Sequence, residues 1–214
     1  MVIFENRRLF NDLLIQEVAL DFPSYNALNI LDFGCGDGYL LKSFKKRYPS
    51  SDCLCVEKDL KHVINLSNVC NVLDYESFKR EHERFINYFH IISLVDVVYM
   101  IPKQELFILF ERFYQMLRSE GVIYIYLGIY AESKGVFLFK EILDSIKKEN
   151  KLTEFLSLQE LLSIFLQKNF NVYIKRLNLS SIFGLRVDKF IVDNLKDYID
   201  YIYNDKLLIK LTKS

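Results

Sequence analysis

The stretch of sequence that decides the fold is LDFGCGDGY, which runs from Leu31 to Tyr39. Its three glycines stand at alternate positions between an apolar run and a segment with helical periodicity. A tight strand-to-helix turn needs one glycine, and further glycines let a ligand approach the backbone closely. The stretch therefore predicts a ligand-binding turn between a buried strand and a helix.

The charges around this turn indicate which kind of ligand suits it. A dinucleotide-binding turn has the pattern G-x-G-x-x-G, and Tyr39 occupies the place of its third glycine. Asp32 and Asp37 flank the glycines, and two carboxylates oppose a pyrophosphate at a helix N-terminus. They favour a ligand with cationic groups and no phosphate near the turn. S-Adenosylmethionine, which carries a sulfonium and an ammonium group, has this chemistry.

Strands and helices alternate along the rest of the chain. Apolar runs predict strands at 27–33, 53–57, 69–74, 89–94, 122–127, 171–177 and 207–212. Three-to-four spacing predicts helices at 9–18, 39–47, 77–88, 106–117, 131–149, 158–168 and 190–202. This alternation predicts an open, mostly parallel α/β sheet with helices on both faces, in which ligands bind beyond the carboxyl ends of the strands.

Two of these helices carry further local signals. Ser157 and Glu160 form a capping-box pattern at the start of the helix at 158–168. The helix at 106–117 has an apolar stripe that is expected to face the core. Gly121 is expected to end this helix before the next strand. The residues of that stripe are Leu106, Phe107, Phe110, Phe113 and Leu117.

The glycine stretch resembles motif I of the class I, Rossmann-like S-adenosylmethionine-dependent methyltransferases, whose usual form is LDxGCGxG. The segments 89–93, 116–122 and 158–172 resemble later family segments in the expected order. The resemblance covers about residues 28–177 and is to the small-molecule type. It implies a single-domain Rossmann-like fold with a seven-stranded sheet of order 3-2-1-4-5-7-6, in which residues 207–212 form the antiparallel last strand.

The resemblance also implies S-adenosylmethionine as cofactor and S-adenosylhomocysteine as product. No metal site is expected, because no His stands near a pair of cysteines. Glu57 matches the acidic residue that accepts hydrogen bonds from both ribose hydroxyls. Asp74 matches the acid that accepts from the adenine amino group, although acids after short strands are also common turn residues. The expected cofactor-binding residues are Asp32, Phe33, Gly34, Cys35, Gly36, Gly38, Glu57, Lys58, Asp74, Tyr75, Ser93 and Leu94.

No residue is a convincing catalytic base. Methyl transfer from a sulfonium needs a base only when the acceptor must lose a proton. Met100 stands where many small-molecule members have His, and His90 replaces the usual Asp in the fourth strand. The candidates for a base are Asp96, Tyr99 and Tyr130, which follow the fourth and fifth strands and could equally be structural.

Composition and charge exclude several other classes. The 28 basic residues balance 28 acidic ones, so no global basic field attracts nucleic acid. Lys42, Lys45, Lys46 and Arg47 form a basic run that is either a solvated helix face, which we favour, or a nucleic-acid footprint. No apolar run reaches the roughly 20 residues of a membrane span.

The cysteines have neither disulfide-scaffold nor zinc-site spacing. They are Cys35, Cys53, Cys55 and Cys70. We expect them to be reduced, with Cys35 packed in the turn rather than acting as a nucleophile, in a soluble, cytoplasmic protein.

These features predict an enzyme that moves a methyl group to an O or N atom of a small molecule such as a sugar or a quinone precursor. We expect one domain over 1–214, with an N-terminal cap at 1–27, a cofactor-binding core at 28–177 and a closing helix and strand at 178–214. It is expected to be a monomer or homodimer. A methyltransferase acting on protein or RNA, and a non-catalytic methyltransferase-like partner subunit, are the alternatives.

Three aromatic-rich elements are expected to roof the acceptor pocket. They are the N-terminal helix, residues 128–156 and the helix at 186–204. Whether residues 186–204 form a lid or an interface is left open by the sequence.

Overall fold

Seven strands form one sheet in the predicted order, β3-β2-β1-β4-β5-β7-β6. The structure is a computed structural model that describes residues 2–63, 66, 68–128, 156–177 and 206–214. The strands are β1 Ile30–Phe33, β2 Cys53–Glu57, β3 Asn71–Asp74, β4 Phe89–Val95, β5 Leu117–Leu127, β6 Phe170–Leu177 and β7 Lys206–Lys213. Strand pairs among β1 to β5 are parallel, and β7 is antiparallel to both β5 and β6, which confirms the predicted topology.

Five helices of the described residues accompany the sheet. They are α1 Val2–Asp21, α2 Tyr39–Arg47, α3 Tyr75–Glu81, α4 Lys103–Met116 and α5 Leu158–Gln167. Short 3-10 helices cover Leu60–His62, His82–Phe85 and Val98–Met100. The single helix predicted at 77–88 is therefore α3 followed by a 3-10 turn. The helices predicted at 131–149 and 190–202 lie outside the described residues.

The strands β1, β2 and β4 at the centre of the sheet are buried along nearly their whole length, and their successive residues point alternately into two core clusters, one on each face. Leu31 belongs to the cluster under α4 and α5, where the rings of Phe110 and Phe165 lie 4.8 Å apart between centroids. Its neighbour Ile30 belongs to the cluster under α1 and α2, which includes Phe10. The predicted capping box of α5 is present.

The apolar stripe of α4 differs in part from the prediction. Phe107 is 38% exposed, whereas Leu109 and Met116 are buried in its place. The helix also ends before Gly121, because Leu117 already pairs with Phe89 as the first residue of β5. The end of the helix depends on contacts with the residues at and just before the start of β4, which the sequence pattern of the helix itself cannot predict.

His90, which replaces the acid usual at this position, joins β4 to the start of β1. Its side chain is buried, and its Nδ1 accepts a hydrogen bond from the backbone N–H of Asn29 at 3.0 Å. Burial lowers the pKa of His90, because desolvation disfavours the imidazolium form. The neutral ring is the form that can accept this bond.

We expect Phe110→Ala to destabilise the fold by about 3–5 kcal/mol, because it opens a cavity among buried rings. Phe107→Ala, in the same helix, is the matched control and should cost about 1 kcal/mol or less, since its ring is partly in solvent. Urea unfolding of both variants measures the difference. Equal losses would contradict the observed orientation of α4, in which Phe110 faces the core and Phe107 lies partly in solvent.

We expect the free energy of unfolding to fall as pH drops below about 6.5, the ordinary pKa of histidine. The folded pKa of His90 is lowered, so the unfolded chain binds more protons in this window and gains stability relative to the fold. The slope from this group is at most about 1.4 kcal/mol per pH unit.

The measurement is urea unfolding of wild type and His90→Gln between pH 7.5 and pH 5. The difference between the two profiles isolates His90, since all other groups are shared. Parallel profiles would show that His90 does not titrate differently in the folded state.

Candidate functional site

The turn between β1 and α2 has a backbone and packing that require glycine. Gly34, Gly36 and Gly38 have φ angles of 75°, 57° and 69°. A Cβ on Gly34 would lie 2.6 Å from a methyl of Val97, and one on Gly38 would lie 2.3 Å from a methyl of Leu66. The glycine loop, residues 34–38, is thus enclosed by two side chains that no sequence motif signalled.

The glycine loop folds back over the end of β2. The backbone N–H groups of Gly34 and Cys35 both donate to the carbonyl of Val56, at 2.7 and 3.3 Å. The N–H of Gly36 donates to Glu57 Oε2 at 2.8 Å. The loop predicted to hold a ligand is therefore fastened to the strand that ends in the predicted ribose-binding acid.

A disulfide joins Cys35 of this loop to Cys55 of β2, with 5.6 Å between their Cα atoms. The expectation of reduced cysteines is therefore wrong for this pair. The fold-back of the loop brings together two residues whose spacing in sequence gives no sign of contact. Cys53 and Cys70 are free, and burial raises the pKa of their thiols to about 12 and about 11.

Asp32 is a buried carboxylate at the centre of the site. It is 2% exposed, and its Oδ1 accepts a hydrogen bond from Ser93 Oγ at 2.9 Å. The strand register sets Asp32 beside Ser93 across β1 and β4. Ser93 is fully buried and supports Asp32 through this hydrogen bond. Leu94 is also fully buried and packs in the core under α4.

Glu57 and Asp74 lie side by side, because the register pairs them at the ends of β2 and β3. Asp74 caps α3: its carboxylate accepts from the backbone N–H and the hydroxyl of Ser77, both at 2.8 Å. These bonds hold the pKa of Asp74 below its ordinary value. The turn role that the sequence allowed for Asp74 is therefore present.

The other expected binding residues of this region, Phe33, Lys58 and Tyr75, contact neighbouring residues of the protein. Tyr75 donates its hydroxyl to Glu105 at 2.9 Å, and its ring meets that of the buried Phe33 edge-on. The backbone N–H of Lys58 donates to Glu57 Oε1 at 2.8 Å. Phe33 and Tyr75 thus contact each other at the edge of the core cluster that lies under α4 and α5.

The residues after β4 and β5 are bound to each other. Asp96 has a left-handed backbone with φ 56°, and its carboxylate accepts from the backbone N–H of Gly128 at 3.0 Å. Lys206, the first residue of β7, donates to the carbonyl of Gly128 at 2.8 Å. Tyr99 lies partly buried in the 3-10 helix Val98–Met100. Tyr130 lies outside the described residues.

The N-terminal helix covers the start of α2. Arg8 lies 3.9 Å from the carboxylate of Asp37 and 5.3 Å from the ring centroid of Tyr39. The hydroxyl of Tyr39 donates to Asp12 at 3.2 Å. The helix α1 thus contacts the end of the glycine loop, and its expected role as a roof of the acceptor pocket stays a prediction. The other two expected roof elements lie outside the described residues, apart from Gly128 and Leu156.

The basic run of α2 makes local contacts. Lys42 donates to the carbonyl of Asp37 at 3.1 Å. Lys45 donates to the carbonyls of Pro49 and Ser51 at 2.9 and 2.6 Å, where it satisfies backbone groups beyond the helix end. These contacts favour the solvated-face interpretation over a nucleic-acid footprint.

The described residues contain no group of three or more His, Cys, Asp or Glu side chains placed to hold a metal ion. None of their helices combines the length and the apolar character needed to cross a bilayer.

Solved structures share this fold across nearly the whole chain. One is an S-adenosylmethionine-dependent methyltransferase from Archaeoglobus fulgidus, with a TM-score of 0.65, 15% identity and coverage of 95% of this chain and 94% of that one. Another is the magnesium protoporphyrin IX methyltransferase of Synechocystis with bound S-adenosylhomocysteine, with a TM-score of 0.60, 12% identity and coverage of 96% and 83%.

A third structure is larger than this chain. It is phosphoethanolamine N-methyltransferase 2 of Haemonchus contortus in complex with S-adenosylmethionine, with a TM-score of 0.63, 16% identity and coverage of 92% of this chain and 51% of that one. At these identities the likeness establishes the fold alone. No curated protein sequence matches the chain.

The sequence itself identifies the family. The family model described as a methyltransferase domain matches residues 4–175, which is most of the chain and includes the glycine loop and all the strand-end acids described above. The chain therefore belongs to the methyltransferase domain family and is a class I, Rossmann-like S-adenosylmethionine-dependent methyltransferase.

Proposed function

We propose that this enzyme transfers the methyl group of S-adenosylmethionine to an O or N atom of a small-molecule acceptor. The observation that carries the proposal is the convergence of the glycine loop, Asp32 and Glu57 at the carboxyl edge of the sheet. When bound, the cofactor supplies a methyl carbon already activated by its sulfonium. The protein's task is then to hold the acceptor atom in line with the leaving sulfur.

The residues present fit this cofactor in charge and shape. Asp32 supplies a buried negative charge toward its cationic end, and the glycine loop lets its chain lie against the backbone. Glu57 accepts from the ribose hydroxyls, and Asp74 lies beside it to accept from the adenine amino group. The expected binding residues Phe33 and Tyr75, whose rings meet edge-on, follow Asp32 and Asp74 directly in the chain.

Several observations support a small acceptor. The formal net charge is zero, and the Lys45 ammonium is taken up by backbone carbonyls rather than presented to a phosphate backbone. The helix α1 contacts Asp37 and Tyr39, where the glycine loop passes into α2. Two of the similar structures are, by their names, enzymes of magnesium protoporphyrin IX and of phosphoethanolamine.

The residues after β4 and β5 are proposed to shape the acceptor side. The Asp96 carboxylate, held by the Gly128 N–H, suits a positioning role, and an amine acceptor that arrives neutral needs no base. The non-catalytic alternative is supported by Met100, whose side chain is 62% exposed and supplies no proton-transfer group. Turnover of any acceptor would dismiss that alternative. We further propose one domain over 1–214, with the cap at 1–27 and the closing segment at 178–214.

We expect S-adenosylhomocysteine to raise the thermal midpoint by about 5–10 °C when present at about 100 times its Kd. Asp32→Asn should abolish most of this rise, because it keeps an oxygen for Ser93 but removes the buried charge. Glu83→Gln, a change of an exposed acid in the 3-10 helix before β4, is the matched control and should keep the rise. A wild-type midpoint that does not respond would overturn the cofactor assignment.

We expect tritium from methyl-labelled S-adenosylmethionine to appear in low-molecular-mass compounds other than S-adenosylmethionine when the purified enzyme is added to a cell extract. The zero net charge and the contact of α1 with the end of the glycine loop favour such acceptors over polymers. Scintillation counting of separated metabolite, protein and RNA fractions measures this, with Asp32→Asn as the inactive control. Label that accumulates in protein or RNA instead would reject the small-molecule acceptor.

A further inference from the structure

We infer that Glu57 has a second task besides ribose binding: it sets the conformation of the glycine loop before any ligand arrives, by accepting the hydrogen bond of the Gly36 N–H. The ribose contact rests on the proposed function, whereas the contact with the loop is present without a ligand and does not depend on which acceptor is methylated.

The geometry separates Gly36 from the other attachments of the loop. Gly34 and Cys35 donate to the carbonyl of Val56, and the disulfide also acts at Cys35. Beyond that point, the Gly36 N–H to Glu57 Oε2 contact of 2.8 Å is the described hydrogen bond that ties the loop to β2. Gly36 is buried, and a buried N–H without a partner is unfavourable, so the loop conformation depends on this carboxylate.

The carboxylate of Glu57 is also almost fully occupied. A carboxylate offers about four lone-pair positions. Three are taken by backbone N–H groups: Gly36 at 2.8 Å on Oε2, and Lys58 and Asp59 at 2.8 and 3.3 Å on Oε1. A ribose diol needs two positions, so its arrival displaces one backbone donor.

The longest of these contacts is the weakest and is the one to yield. That contact is the one from Asp59 at 3.3 Å, so the bond to Gly36 persists when the ribose is bound. Glu57 then touches the loop and the ribose together. Its loop role can be separated from its ribose role by removing either the ligand or the ribose hydroxyls.

The first experiment uses no ligand. Amide hydrogen exchange of Gly36, followed by NMR, compares wild type with Glu57→Ala and with Glu57→Gln, whose amide must turn its NH₂ toward one of the backbone donors. We expect exchange at Gly36 to be about tenfold faster in Glu57→Ala, which removes the acceptor, and to change less in Glu57→Gln, whose amide oxygen can still accept the Gly36 bond. Asp59→Asn, which changes a neighbouring acid that caps the 3-10 helix Leu60–His62, should leave Gly36 unchanged. Unchanged exchange at Gly36 in Glu57→Ala would overturn the inference.

The second experiment removes the ribose contact from the ligand. Calorimetry measures the Kd of S-adenosylhomocysteine and of its 2′,3′-dideoxy analogue for wild type and Glu57→Ala. If Glu57 acted through the ribose alone, the variant would bind the dideoxy analogue as tightly as wild type does. We expect the variant to bind it about three- to tenfold more weakly, because the loop is no longer preformed.

The two experiments separate a failure of the cofactor assignment from a failure of the loop role of Glu57. A wild-type protein that bound neither ligand would contradict the cofactor assignment, while the exchange of Gly36 would still decide the loop role. Equal dideoxy affinities together with unchanged exchange would leave Glu57 with a ribose contact only.

Discussion

The hydrogen bond from the Gly34 N–H to the Val56 carbonyl is the contact on which the site depends. It extends the β1–β2 pairing by one residue, and the N–H of Cys35 donates to the same carbonyl, so that the glycine loop lies against the end of β2. The left-handed backbone of Gly34 and its contact with Val97 leave room for no side chain there. This position of the loop allows the Gly36 N–H to reach Glu57 and brings Cys35 to Cys55.

The parallel register then concentrates acidic groups at one edge. Glu57 and Asp74 end β2 and β3 side by side, and Asp32 lies next to the last residue of β1, toward the same edge, because all three strands run in the same direction. Such a cluster of carboxylates costs free energy unless each charge has partners. Here Ser93 donates to Asp32, Ser77 donates to Asp74, and Glu57 accepts from backbone N–H groups, so each of the three carboxylates has a hydrogen-bond partner within the protein.

The sequence predicted well what is encoded locally. The glycine stretch placed β1 and α2 correctly, and the start of α5 followed from its capping box, because glycines, caps and periodicity act over a few residues. It could not predict the exposure of Phe107, since helix rotation is set by what packs against it. Nor could it predict the enclosure of the glycine loop by Val97 and Leu66, which are distant in sequence from the glycines they touch.

In the site, too, locally encoded roles could be predicted, whereas contacts between distant segments could not. Asp74 was recognised both as a strand-end acid and as a turn residue, and the second role is visible in its bonds to Ser77. The Cys35–Cys55 bond was missed because contact between the loop and β2 exists only after folding. His90 could be seen to depart from the family, but its bond to Asn29 depends on the neighbouring strand.

The antiparallel β7 has a consequence for the order in which the sheet is completed. It stands between β5 and β6, yet it follows β6 in the chain, and among the described strands β6 hydrogen-bonds to β7 alone. On the ribosome, β1 to β5 can pair as they emerge, whereas β6 must wait with its edge unpaired until β7 has been made. Completion of this side of the sheet is therefore a late, non-local step, of the kind that slows folding and leaves intermediates exposed to aggregation.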